Sequence, residues 1–218
     1  RWLVLISFLI GISIGVHLLS LLAIPAISFI VYFKKYKFSW KGFGIAAVSS
    51  VLLLGFVQNI IIPKVVKFIA DYEVFFTNKL HLGFSTGTVA YFVLLAFSLT
   101  CFIIYTNKRD EKFYKYGFIS AVIFSALAVL TAPSGSGMFT RLLTLGGILY
   151  AIRHFKTKTI TLNAIFLSFA TLLIGYSTFF ILVIRSQANP PMDENDPENA
   201  PNMLSYLLRE QYGDWPLL

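Results

Sequence analysis

ITLNAIFLSFATLLIGYSTFFILVI, residues 160–184, runs without one charged side chain. As an α-helix it would reach ~37 Å at 1.5 Å per residue, enough to cross a hydrocarbon core of ~30 Å. A membrane β-strand would alternate apolar and polar residues, and this stretch does not. In lipid a helix satisfies its own backbone, so a helix is the reading. The rest of the chain agrees: 57% of residues are hydrophobic and 13% charged, with 22 Phe and 11 Tyr in 218. A soluble domain carries about 25% charged residues to cover its surface. Lipid removes that need.

Working outward, the same pattern recurs. Spans are expected at about 2–16, 18–33, 43–62 (stopping at Pro63), 88–106, 117–131, 138–152 and 160–184. Residues 2–33 are too long for one straight crossing, so two short helices meeting near Gly15-Val16-His17 fit better, with a strongly tilted single helix as the alternative. Residues 64–80 differ in kind. Val65, Phe68, Ile69, Tyr72, Phe75, Phe76 and Leu80 recur at helical spacing, while Lys64, Lys67, Asp71 and Asn78 fall on the other side. This predicts an amphipathic helix, lying on a membrane surface or packed over the bundle. The fold class is therefore all-α, a polytopic transmembrane bundle with amphipathic surface helices.

The net charge of +8 suggests nucleic acid until the positions are read. Most Lys and Arg residues sit in three short loops, after Phe33, Thr106 and Ile152, as cytoplasmic loops do. No folded basic face remains for nucleic acid. That alternation puts residues 63–87, 133–137 and 185–218 on the opposite, periplasmic face. Cys101 lies in an apolar run and has no partner for an internal disulfide. The stretch 1–25 has signal-peptide features, but its apolar run continues to Phe33. With Arg1 first and Leu218 last, the sequence reads as an internal fragment.

Residues 186–218 are polar and acidic. Asp196 before Pro197 suits a helix start, and Gly213 a stop, so a short helix is expected over 197–211. Asp193, Glu194, Asp196 and Glu198 lack the spacing of a calcium loop and read as a solvated acidic turn, so no metal is expected. The Ser134-Gly135-Ser136-Gly137 turn lacks the lysine of a nucleotide loop. No Ser-His-Asp, zinc or heme pattern is visible, and no cofactor is expected. Three residues stand out as contacts for a substrate or lipid phosphate. Arg209 and Arg185 belong near the membrane surface, where a guanidinium fork suits phosphate, although an anchoring arginine that snorkels is the plainer reading of Arg185. His17 sits in the break of the first apolar segment, and an ionisable group at that depth is a site candidate or a structural histidine in equal measure.

The stretch GISIGVHLLSLLAIPA (11–26), with NPPMDENDP (189–197) and SYLLREQYGD (205–214) in the tail, resembles a family of large bacterial membrane proteins. The family belongs to the GT-C glycosyltransferase superfamily and is related to an animal transmembrane protein O-mannosyltransferase. The chain departs from its pattern at Trp215, where an arginine is expected, and at Ser20, where an asparagine is. The resemblance implies an inner-membrane enzyme that moves a sugar, mannose first among them, from a polyprenyl-phosphate carrier to Ser or Thr of an acceptor protein. Its catalytic acidic residue would lie in a first periplasmic loop not contained here, so no catalytic residue is carried over. Membrane lipids, the lipid-linked sugar and the acceptor protein are the implied partners. A transporter of lipid-linked sugars and a non-catalytic scaffold binding through its periplasmic helices are the competing readings.

Overall fold

A computed structural model describes residues 2–132, 135–210 and 213, and every regular element among them is helical. In chain order they are α1 (Trp2–Val16), α2 (Ala23–Lys35), α3 (Trp40–Phe56), α4 (Ile62–Asn78), α5 (Thr86–Lys108), α6 (Glu111–Leu130), α7 (Ser136–His154), α8 (Thr159–Tyr176), α9 (Ile181–Ser186) and α10 (Ala200–Leu208). Five helical stretches are long and apolar enough to cross a membrane: Leu18–Lys35, Trp40–Asn78, Thr86–Lys108, Glu111–Leu130 and Thr159–Ser186. α1 is apolar but shorter. α7, where a span was expected over 138–152, is not among the five. It carries Arg141 within it and Arg153 and His154 in its last turn.

Small residues set the closest helix crossing. α1 runs parallel to α8, and Gly11 and Gly175 face each other. A Cβ on Gly11 would lie 2.3 Å from the Leu172 carbonyl oxygen, and one on Gly175 would lie 2.4 Å from that of Phe8. The backbones can meet only because neither residue has a side chain, which is how apolar helices associate where lipid is as oily as leucine. The Thr171 hydroxyl, 3.2 Å from the Val4 carbonyl, pins the same seam.

α4 is the organising element. Val66, Ile69, Tyr72 and Glu73 are almost fully enclosed, and α5, α6 and α10 all pack on it. The amphipathic stretch is thus covered by the bundle and by α10, whose Met203 is buried against it. A stop at Pro63 is not what forms. The 39 residues Trp40–Asn78 continue through a π turn at Val57–Ile61, directly before the proline. Proline lacks the N–H that an α-helix interior needs. The wider turn absorbs that loss, while Asn59 Nδ2 donates to the Gly55 carbonyl (3.1 Å).

The tail helix is shorter than 197–211. Its cap is Asn199, whose side chain accepts the Asn202 N–H, with Pro201 in the first turn; Asp196 does not cap it. α10 ends at Leu208 because Arg209 turns left-handed (φ 56°). The expected end at Gln211, the departure at Trp215, the leading Arg1 and the Pro133-Ser134 part of the turn lie outside the described residues.

Candidate functional site

Regular α-helix breaks at three places among the described residues, and the three breaks share one core. They are the 3-10 turn Leu18–Leu22 after His17, the π turn Val57–Ile61, and the 3-10 turn Ser177–Phe180. Leu21, Val57, Ile61 and Tyr176 are buried together, with Phe179 packed on them. Polar side chains take up the backbone groups that breaking frees. Ser20 Oγ donates to the His17 carbonyl (2.7 Å), Thr178 Oγ1 to that of Gly175 (2.8 Å), and the buried Tyr176 hydroxyl to that of Ile62 (3.1 Å). Broken backbone at such depth persists where its groups find partners or line a cavity.

Here it lines a cavity, of about 590 Å³. Its origin is a difference in length. Gly15, near the end of α1, lies against Thr178, and the α8 rod then continues to Ser186. α1 stops roughly two turns short of its partner. The space left is walled by Gly15–Leu18 on one side, Phe179 and Leu182 on another, and Tyr206, Leu207 and Arg209 of the tail on a third.

Two of the three site residues read from the sequence therefore meet. His17 and Arg209 line the same cavity although 192 positions separate them in the chain, and Glu194 of the acidic turn joins them. Arg185 does not line it; it stands exposed at the end of α9. His17 also does structural work, because its Nδ1 accepts the Leu19 N–H (3.1 Å) and caps the 3-10 turn. With Nδ1 accepting, the ring presents Nε2–H as its donor. The Arg209 guanidinium makes no hydrogen bond or ion pair with any described residue. A cationic fork, an imidazole and apolar walls can hold an anionic headgroup attached to a hydrocarbon tail.

The acidic turn folds as a clamp. Ser186, buried, donates to Asp193 (2.7 Å) and has Asp196 Oδ1 at 3.2 Å, while Asn202 Nδ2 donates to the Asp196 carbonyl (2.8 Å). No cluster of three or more metal-ligating side chains occurs among the described residues.

Two polar arrangements were not read from the sequence. Asp71, placed on the polar face of its helix, is instead paired with Arg141 of α7. Arg141 is buried, donates to the Ala128 carbonyl (2.8 Å), and lies over the Phe68 ring (4.7 Å). Glu73, buried, accepts the Ser85 and Thr88 N–H groups (2.5 and 2.8 Å) and the Thr88 hydroxyl (2.9 Å), and so caps α5 from outside it. An arginine inside an apolar stretch asks for a counter-charge, and that signal was available.

Residues 1–40 match the family model described as the Protein O-mannosyl-transferase TMEM260 N-terminal domain. The matched stretch contains α1, the His17 turn and α2, and its residues 14–18 form one wall of the cavity. The match supports a relation to that family. No curated protein and no solved structure matches the chain.

Proposed function

We propose that this chain is the membrane part of a GT-C-type glycosyltransferase that takes its sugar from a polyprenyl-phosphate carrier and serves protein O-mannosylation at the periplasmic face of a bacterial inner membrane. The observation that carries this reading is the meeting of the family-matched segment with the tail: the wall it supplies through His17 faces Arg209 across one cavity. In this reading Arg209 and the His17 Nε2–H hold the donor phosphate, and the apolar walls from α1 and α8–α9 receive the start of the prenyl chain. Arg185 touches headgroups outside the cavity. The parallel course of α1 and α8 supports the topology, because both then leave the basic, cytoplasmic side and end at the same face.

The test uses full-length protein in detergent with radiolabelled polyprenyl-phosphate mannose and an acceptor peptide. Label transfer in wild type that falls at least about tenfold in Arg209→Ala, a loss of about 1.4 kcal/mol of transition-state binding, supports the site. Undiminished transfer in both Arg209→Ala and His17→Ala removes the cavity from the reaction. No transfer from any polyprenyl-linked sugar removes the transferase and leaves the scaffold.

A further inference from the structure

The seam between α5 and α6 holds a second concave feature, formed by different helices from those that wall the His17 cavity. Gly117 lets the two helices approach, since a Cβ there would lie 2.9 Å from the Cys101 Cβ. Further along, the Ser120 hydroxyl lies 2.9 Å from Ser98 Oγ and 3.2 Å from the Leu94 carbonyl, while Ser98 donates to that carbonyl at 2.7 Å. These contacts fix an antiparallel register in which residue 117 faces 101 and residue 120 faces 94–98. They also satisfy the polar groups at the floor. Above that floor runs an open groove of about 300 Å³, walled by Val93 and Phe97 on α5 and by Tyr116, Ile119 and Ile123 on α6.

The foot of the groove is basic. Lys112 and Lys115 stand one turn below Tyr116 and Ile119, at the four-residue spacing that puts helix residues on one face. Lys108, at the end of α5, stands three turns below Phe97 on the same stripe. All three lysines are exposed and form no ion pair with a described residue. The acidic neighbours are already engaged: Asp110 caps α6 through the Lys112 N–H (2.9 Å), and Glu111 holds Lys156 (2.5 Å). Tyr116 lies between the charges and the apolar walls, the level at which tyrosines sit in a bilayer interface.

We infer that the α5–α6 groove is a binding site for one anionic phospholipid, its phosphate held by Lys112 and Lys115 and one acyl chain laid along Ile119, Ile123 and Phe97. A zwitterionic lipid offers the same chain but brings its own cation to the lysines, so the site selects for net negative charge. A general basic surface would attract the same lipids without the groove, and that difference is measurable.

The experiment is native mass spectrometry of the full-length protein in detergent, titrated with phosphatidylglycerol and, separately, phosphatidylcholine. Wild type retains phosphatidylglycerol in preference. The double variant Lys112→Ser/Lys115→Ser and the groove-filling Ile119→Trp, which leaves every charge in place, each weaken that retention about tenfold. Lys79→Ser, away from the groove, leaves it unchanged. Wild-type retention by Ile119→Trp overturns the groove, and equal retention of phosphatidylcholine by wild type overturns the selection of charge. Sugar transfer is not the readout, so this outcome is independent of the transferase reading.

Discussion

Arg141 and Arg209 have the same side chain and opposite surroundings. Arg141 is enclosed: α4 gives it the Asp71 carboxylate, α6 a carbonyl, and Phe68 a ring face. Arg209 ends a short helix and lines an open cavity with no described partner. An enclosed charge holds structure together because removing its partner strands it. An open charge contributes little to folding. The first region lets α7, the least apolar of the long helices, seat on the bundle. The second leaves Arg209 on the wall of an open cavity, without a partner among the described residues.

The comparison breaks most directly at Asp71. Arg141→Met leaves that carboxylate with Lys67 as its remaining partner, 3.5 Å away, and should lower unfolding stability in detergent by about 3–5 kcal/mol. Arg209→Met in the same assay should shift stability by no more than about 0.5 kcal/mol. Equal losses from the two would erase the distinction. Gly175→Val tests whether the cavity needs the α1–α8 crossing. The added Cβ alone meets the Phe8 carbonyl, and a loss of about 3 kcal/mol is expected, with the His17 wall displaced and the proposed Arg209-dependent transfer lost as well.

A smaller effect separates a buried carboxylate that only caps. Glu73→Gln keeps the size but gives up one acceptor to the α5 N-terminus, at about 1–2 kcal/mol, and should speed amide exchange at Ser85 and Thr88 first. The smallest lies at the opposite, basic loops. The Glu111 hydrogen bond raises the Lys156 pKa above its ordinary value of 10.5. A raised lysine stabilises below its unfolded value and loses that contribution as pH climbs through the folded one. Lys156→Met should therefore change stability at neutral pH by under about 0.5 kcal/mol, and the difference should fade as pH climbs beyond the ordinary lysine range. A melt series from pH 7 to 11 reads it.

Much of this was legible in the residues, and the failures have causes. Unbroken apolar runs declare helices in lipid, and Gly15-Val16-His17 declared a break, because glycine and a polar ring weaken a helix where no water can help. His17 and Arg209 were singled out by charge and depth, and both line one cavity. Their meeting could not be read, because it depends on α1 ending short beside α8, a matter of packing between segments far apart in sequence. The Arg141 partner of Asp71 was not read, because a periodic pattern tells which side of a helix is polar and not what faces that side. Pro63 misled for a related reason: proline ends a helix unless a wider turn precedes it, and no composition rule shows that turn.

α1 has a further consequence outside the protein. At 15 residues it spans ~22 Å, several ångströms less than an average bilayer's oily interior. A bilayer matched to α1 would thin along this flank and not along the 28-residue α8–α9 rod. Such thinning would bring the headgroup plane, and the phosphate of any lipid there, down toward the level of His17.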